Sequence, residues 1–535
     1  MTMQSLEDVR RAFKPNLPAV LTAKHHTVAE TSRVVSVTTS IRSSFPSTSN
    51  MPFIRFEAGE GSDAVRPMRV GAVLSGGPAP GGHNVITGLY DSLKAFHPES
   101  RLYGFLNGPS GIVSNDHLLL DDETIARYRN QGGFDMLGSG RTKLETAEQF
   151  ERVNATAKEL ELDGIVVIGG DDSNTNAAVM AEWFAANGSP LRVIGVPKTI
   201  DGDLKNEDIE VSFGFHTATR LYSELIGNVM KDARSGRKYW HFIRLMGRAA
   251  SHVTLECALA THPNVVLISE EIFAKNQSLK DIVAYLADVV VARADKGKNY
   301  GVVVFPEGIV DNVPMLRSLI EELNDVTTGM DTASPALVTE RLAPQSAETY
   351  TSLPDVVQEQ LLLDRDSHGN IQISRIETEK LLIELLQREL EDRRDYKGSF
   401  DPMAHFFGYE GRAGLPSNFD CTYCYGLGVT ASALVRGGHT GVMSALKGLH
   451  LPAEQWTPLG VPIVSMMHEE IRHGVPKPVI EKALVDLCGA NFKRLEAERQ
   501  AWEVEDKFVC AGPLQFEGAT ADYAPISVLI DSGCL

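Results

Sequence analysis

The sequence predicts an α/β fold whose parallel strands are covered on both faces, and three observations carry that expectation. From Met68 onward, short apolar runs alternate with longer helical stretches, which is the pattern of βαβ units. The runs are continuous in Val and Ile rather than alternating with polar residues, as strands buried on both faces require. The runs also end in polar, glycine-rich residues, and in such sheets ligands collect beyond the carboxyl ends of the strands.

In chain order, residues 1–66 show no strong periodicity and include a Ser/Thr-rich run from Thr31 to Ser49, so they read as an N-terminal arm. Glu7, Asp8 and the lack of an amphipathic Arg face argue against a transit peptide. Candidate strands follow at Arg69 to Leu74, Gly164 to Ile168, Arg192 to Val196, His241 to Leu245, Val265 to Ser269 and Tyr300 to Phe305. Residues 67–240 are expected to form a larger α/β domain and residues 241–310 a second one. Residues 311–398 break the rhythm and read as an insertion, mainly helical from Ile376 onward. There Ser374 and Glu377 make a capping box, and Ile376, Leu382, Ile383, Leu386 and Leu390 supply a helical apolar stripe. The α/β pattern resumes from His405, so residues 399–535 are expected to complete the α/β domains and add a C-terminal segment.

Composition narrows the class of function. A chain of 535 residues should hold at least two cores. With 43% hydrophobic and 23% charged residues it is neither a largely disordered chain nor a fibrous rod. The 70 acidic residues outnumber 51 basic ones, for a formal charge of −19. That excludes a broad electrostatic footprint for nucleic acid or anionic lipid, so any polyanion needs a local basic pocket. Apolar stretches such as Gly164 to Gly170 and Gly301 to Phe305 fall far short of the ~18–20 residues that cross a bilayer. Six cysteines form no dense disulfide framework and suggest a reducing compartment, taken as cytoplasmic. The Cys421-Thr-Tyr-Cys424 pair lacks a second pair at zinc-ligand distance and reads as buried thiols.

The strand ends carry the chemistry. After the first strand, Gly76-Gly77-Pro78-Ala79-Pro80-Gly81-Gly82-His83-Asn84 would let backbone N–H groups approach a phosphate, with a helix beginning near Asn84 adding its dipole. It is neither a Walker loop nor a dinucleotide fingerprint, and a plain tight turn is the alternative. Asp171-Asp172-Ser173 places two carboxylates together, where Mg²⁺ would offset their repulsion; an ordinary acidic helix start is the alternative. Lys198, Asp201 and Asp203 combine a cation, a base and a metal ligand within six residues, which suits phosphoryl transfer but also a solvated turn. Met246-Gly247-Arg248, Pro306-Glu307-Gly308 and Gly408-Tyr409-Glu410-Gly411-Arg412 again set charges beside glycines. Two arginines could hold a phosphate by fork-like bonds while Glu307 accepts sugar hydroxyls, although surface salt bridges use the same residues.

In this order, GGPAPGGHN from Gly76, GSGRTK from Gly138, GGDDS from Gly169, PKTIDGD from Pro197, MGR from Met246, PEG from Pro306 and GYEGR from Gly408 resemble the phosphofructokinase family. The likeness spans nearly the whole chain and is strongest to the long pyrophosphate-dependent branch. The LPDVVQEQLLL and QISRIETEKLL segments are similar to the insertions of long forms, including the plant catalytic beta subunit. The resemblance implies a phosphofructokinase-like fold: two Rossmann-like three-layer α/β/α domains with a helical insertion. Residues 67–240 would carry the diphosphate site and residues 241–310 the sugar-phosphate side.

The resemblance further implies reversible, Mg²⁺-dependent phosphorylation of fructose 6-phosphate by pyrophosphate. By the family's motifs Asp201 is the base, with Lys198 and Asp172 beside it, and Asp171 and Asp203 serve the metal. Gly77 and Arg141 surround the donor phosphates. Thr199, Met246, Gly247, Arg248, Glu307, Tyr409 and Arg412 correspond to the sugar-phosphate site. ATP-using relatives usually have Gly at the positions of Asp172 and Lys198. A carboxylate at Asp172 would repel the α-phosphate side of a nucleotide, and Lys198 would neutralise compact pyrophosphate. An ATP-dependent enzyme and a non-catalytic regulatory subunit are the competing readings. Tyr239 stands where many bacterial ATP enzymes hold a substrate-site arginine for the neighbouring subunit, and Arg237, Lys238 or Arg244 could take that electrostatic part. The implied partners are the two substrates and a second copy, as homodimer or homotetramer, with no nucleic acid and no membrane.

Overall fold

The Val/Ile runs form strands because neither face of them meets water: Val70, Ala72, Val73 and Leu74 are fully buried, as are Ile165, Val166 and Ile168. In the computed structural model the described residues are 4–22, 26–31, 33, 35, 37–59, 66–327, 334–363, 371, 376–472 and 475–535. The strands among them are β1 (His26–Glu30), β2 (Ile54–Ala58), β3 (Arg69–Leu74), β4 (Arg101–Phe105), β5 (His117–Leu119), β6 (Gly164–Gly169), β7 (Arg192–Pro197), β8 (Trp240–Leu245), β9 (Val265–Val266), β10 (Gly301–Pro306), β11 (Pro402–Phe407), β12 (Val442–Lys447), β13 (Thr457–Pro462), β14 (Met467–Arg472) and β15 (Val475–Ile480).

The chain divides into two units, the first spanning Met1–Ala218, Glu410–Ala483 and Leu514–Cys534, the second chiefly Thr219–Tyr409 and Leu484–Pro513. The first unit holds a nine-stranded sheet in the order β1-β2-β13-β12-β7-β6-β3-β4-β5 and a β14–β15 hairpin. Its centre, from β12 through β7, β6 and β3 to β4, is parallel. Its flanks are antiparallel. Phe184 of the helix Asp171–Ala186 and Phe150 and Val153 of the helix Ala147–Glu159 bury against Val73, Ile165, Val167 and Val193. The stretch read as an arm docks into this unit. β1 and β2 extend the sheet, and Ser5 caps the helix Leu6–Arg10 in a capping box with Asp8. Arg10 is buried and donates to Asn418 Oδ1 at 2.7 Å and to the Pro416 carbonyl at 3.1 Å.

The second unit holds a parallel sheet in the order β11-β8-β10-β9. Trp240, Phe242, Val303 and Phe305 form its core with Leu286 and Val290 of the helix Leu279–Ala294 and Leu382, Leu386 and Leu390 of the helix Thr378–Asp392. Burying each such leucine is worth about 1.5–3 kcal/mol, which ties the insertion to the sheet. The fold is thus two α/β units with a helical insertion, as the sequence leads one to expect.

Two local expectations need correction. The fifth candidate strand stops at Val266, because the Ser269 N–H donates to Ser251 Oγ at 2.9 Å and a helix, Ser269–Ala274, begins there. The insertion is already helical from Pro314, with helices Pro314–Thr327, Pro335–Thr339, Pro344–Ser352 and Asp355–Leu362 before the one anticipated. Ser374 of the expected capping box lies outside the described residues. The helix it would cap starts at Thr378, with Glu377 at the N-cap making no side-chain cap bond.

Candidate active site

The carboxyl ends of three neighbouring strands, β3, β6 and β7, supply the polar loops of the first unit. The β3 turn is fixed by Gly76, whose φ of +86° favours glycine and whose N–H donates to the Gly140 carbonyl at 2.9 Å. That bond draws the Gly138–Lys143 loop alongside. A Cβ at Gly76 would lie 3.1 Å from Lys198 Nζ, and one at Gly77 would lie 3.5 Å from Arg412 Cζ. The bare turn therefore faces two cations. Ser173 Oγ donates to Ser75 Oγ at 2.8 Å, linking the β3 and β6 loops.

The helix after β6 begins at Asp171, with Gly170 at its N-cap making no side-chain cap bond. Asp171 and Asp172 thus occupy the first turn, where negative charge complements the helix dipole. Each also meets a cation: Asp171 Oδ2 is 3.6 Å from Lys482 Nζ, and Asp172 Oδ1 is 3.4 Å from Lys143 Nζ. Buried Asn174 locks the loop by donating to the Gly169 and Gly170 carbonyls at 2.6 and 3.0 Å. Neither lysine was assigned a role from the sequence. Lys143 lies in the GSGRTK motif, whereas Lys482 follows β15 and no local signal marks it.

After β7, the Lys198 N–H donates to the Gly169 carbonyl at 3.0 Å, and a bridge to Phe213 holds its backbone. The ammonium is buried, and desolvation pushes its pKa down to about 8. Asp201 and Asp171 oppose that shift, while Arg412 and Arg141 add to it. Asp203 is buried too. Desolvation, then Asp201 and Asp171, push its carboxyl up to about 7 against the pull of Lys482. The Asp201 N–H donates to Thr199 Oγ1 at 3.0 Å, and the Thr199 carbonyl accepts from Ser212 Oγ at 3.0 Å. The first unit therefore gathers Gly77, Arg141, Asp171, Lys198, Thr199, Asp201, Asp203 and Arg412. Cations flank an uncovered glycine turn, which suits a small polyanion, and the crowded carboxylates suit proton abstraction and a hard cation.

The second unit holds another cluster at the carboxyl ends of β8 and β10. Buried Glu307 accepts from the Gly247 N–H at 3.4 Å and donates its own N–H to the Leu245 carbonyl at 2.8 Å. A Cβ at Gly308 would stand 1.8 Å from the Arg248 carbonyl oxygen, so the MGR and PEG turns fit together only with glycine there. The Met246 N–H donates to the Phe407 carbonyl at 3.1 Å, which brings in the strand that leads to exposed Tyr409. Tyr239 is not brought to this cluster. It precedes β8 whereas Met246 follows it, and a six-residue strand separates them by roughly 20 Å. Tyr239 instead lies beside Lys238, whose Nζ is 4.6 Å from the ring centroid. Of the cations considered near it, Arg244 is turned inward, with Nε 2.6 Å from Glu379 Oε2 and both side chains buried.

Among the described residues, no group of three or more His, Cys, Asp or Glu side chains is placed to hold a metal by itself, and no helix is long and apolar enough to cross a membrane. Cys421 and Cys424 are buried free thiols, as read from the sequence.

Comparison with known proteins gives the same direction. The family model described as "PFK: Phosphofructokinase" matches residues 69–435. The chain is 50% identical over 494 residues to the pyrophosphate–fructose 6-phosphate 1-phosphotransferase subunit beta of Solanum tuberosum, covering 91% of this chain and 87% of that one. It is 47% identical over 530 residues to the pyrophosphate–fructose 6-phosphate 1-phosphotransferase of Porphyromonas gingivalis, covering 97% and 96%. A solved structure, the pyrophosphate-dependent phosphofructokinase of Nitrosospira multiformis, is similar in fold at a TM-score of 0.55 and 17% identity, covering 86% of this chain and 96% of that one.

Proposed function

Since the chain belongs to the phosphofructokinase family, we propose that it works as the pyrophosphate-dependent enzyme its relatives are named for. It moves a phosphoryl group reversibly between pyrophosphate and the 1-hydroxyl of fructose 6-phosphate, giving fructose 1,6-bisphosphate and phosphate. The observation that carries the donor assignment is the buried Lys198 ammonium against the bare Gly76–Gly77 turn, with the Asp172 carboxylate in the adjacent loop. A compact diphosphate is matched by that concentrated positive charge, while Asp172 disfavours a nucleotide's extra phosphate.

In the forward direction Asp201 takes the proton of the sugar hydroxyl as its oxygen bonds to the transferred phosphorus, and phosphate leaves. In reverse, Asp201 returns the proton. Lys198, Arg141 and Arg412 neutralise charge on the donor, and Gly77 allows its close approach. Sugar-phosphate recognition falls by the family's motifs to Thr199 and Arg412 in the first unit and to Met246, Gly247, Arg248, Glu307 and Tyr409 in the second. Asp171 and Asp203 would hold Mg²⁺: both offer hard oxygen ligands, and burial first, then the neighbouring Asp201 and Asp171 carboxylates, raises the affinity of Asp203 for a proton, so a divalent cation there would offset the carboxylate repulsion. When bound, the ion supplies charge neutralisation of the diphosphate. Tyr239, at the far end of β8, is assigned to the site of a second copy in a homodimer or homotetramer. The six cysteines, all free thiols, fit a cytoplasmic location.

The test is purified protein with Mg²⁺ and fructose 6-phosphate, offered pyrophosphate or ATP, and the reverse reaction with phosphate. Pyrophosphate-dependent turnover in both directions is expected. Brisk use of ATP with none of pyrophosphate would overturn the donor assignment, and no turnover with either would point to a regulatory subunit.

A further inference from the structure

We propose that Asp420 is a positioning residue for the phosphoryl-transfer loop, an inference that rests on the reading of Lys198 and Asp201 given above. Asp420 lies in the first turn of the helix Asn418–Arg436 and is wholly buried. Its Oδ1 accepts from the Gly214 N–H at 3.1 Å. Its Oδ2 accepts from the Thr217 N–H at 2.8 Å and from Thr217 Oγ1 at 2.5 Å. Ser417 closes the ring, since its N–H donates to Thr217 Oγ1 at 3.0 Å while its Oγ accepts from the Asp420 N–H at 3.1 Å.

The segment so held is the continuation of the reacting loop. Gly214 follows Phe213, whose N–H donates to the Pro197 carbonyl at 3.2 Å and whose backbone bridges Lys198. One residue earlier, Ser212 Oγ donates to the Thr199 carbonyl at 3.0 Å. Both the helix and the segment it holds pack on the donor turn: a Cβ at Gly81 would stand 2.3 Å from Cys424 Sγ of the helix, and one at Gly214 2.8 Å from Ala79 Cβ. One carboxylate therefore ties the segment that backs Lys198 and Thr199 to the helix that packs on the glycine-rich turn.

A purely architectural role accounts poorly for the choice of residue. A buried charge is an expensive way to hold a helix start, because its desolvation offsets much of what its hydrogen bonds return. Burial indeed pushes this carboxyl up to about 6 against three donors. What a carboxylate offers over an amide is an acceptor at both oxygens, and both are used. Asp420→Asn puts an NH₂ against donors and must let the Gly214–Thr217 segment move, and a shift of about 1 Å at a reacting group can cost ~10² in rate.

The experiment compares the parent, Asp420→Asn, Asp201→Asn and their double variant, with Thr217→Val as a milder probe of the same contact. For Asp420→Asn, kcat with pyrophosphate is expected to fall about 10- to 100-fold with the KM for fructose 6-phosphate within about twofold. Added to Asp201→Asn, it should cost clearly less than it does alone, because the base is one of the two groups it positions and only Lys198 is left to be held. Thr217→Val should lower the same parameter by a smaller factor. Full kcat in folded Asp420→Asn, or losses that multiply with Asp201→Asn, would overturn the inference. If Asp420→Asn does not fold, unchanged kcat in Thr217→Val overturns it. A parent without pyrophosphate-dependent turnover would instead sink the functional reading beneath it.

Discussion

Replacing Lys198 by methionine keeps all but the last atom of the unbranched side chain and removes its charge. The ammonium faces the Gly76–Gly77 turn and senses Asp201, Asp171, Arg412 and Arg141. A phosphate oxygen hydrogen-bonded to it would bring the two charges about 4 Å apart, worth ~4 kcal/mol at an effective dielectric of about 20. If all of that appeared in the transition state, kcat would change by ~10³. Single preorganised donors measure at about 10² to 10³. Lys198→Met should therefore lower kcat by roughly 10² to 10³ in both directions. Thermal stability should hold or rise, since the variant no longer buries a charge. The pH dependence gives an independent check. With its pKa at about 8, Lys198 is charged below that pH and neutral above it, so kcat/KM for pyrophosphate should fall as pH rises through about 8. In Lys198→Arg, which stays ionised, that fall should move to higher pH even if the maximum is lower. A Lys198→Met enzyme within about fivefold of the parent, or an alkaline fall unmoved in Lys198→Arg, would refute this account of the donor site.

Asp201→Asn should leave fructose 6-phosphate binding largely intact while lowering turnover by about 10² to 10⁴, the range for a positioned base; near-normal turnover would remove that role. Asp172→Gly combined with Lys198→Gly should admit ATP as donor and weaken use of pyrophosphate. Asp172 is half-exposed, so losing its pairing with Lys143 should cost no more than about 1 kcal/mol, and absence of any ATP-dependent gain would contradict the steric and charge argument. In the second unit, Arg244→Met or Glu379→Leu alone should lower stability by about 3–5 kcal/mol in chemical denaturation, while the double change costs far less. Neutral single variants would show that the pair does not fasten the insertion helix to the sheet.

Local pattern was enough for the elements and motifs whose determinants lie close together in the chain. β3, β6 and β7 are apolar on both faces, and that burial writes an uninterrupted Val/Ile run into the sequence. Because a strand end delivers its loop within a few residues, Lys198, Asp201 and Asp203 were visible as one cluster, as were Asp171 and Asp172. The flanking strands carry no such mark. β5 leaves Leu118 and Leu119 exposed, and β1 and β2 mix charged with apolar residues in five-residue pieces, so only their pairing partners make them strands. Spacing also misleads where the backbone is extended: Tyr239 and Met246 are seven apart in sequence and at opposite ends of β8.

The sequence by itself determined the α/β class, the parallel centre of the sheets and the chemical types gathered at their carboxyl ends. Tertiary structure alone decided which distant polar groups meet: Lys482 with Asp171, Arg244 with Glu379, Arg10 with Asn418, and Asp420 with Gly214 and Thr217. Periodicity records how one segment partitions between water and core, a property of neighbouring residues. An ion pair between remote segments depends on how two finished surfaces pack, and nothing in either segment's own pattern specifies its partner.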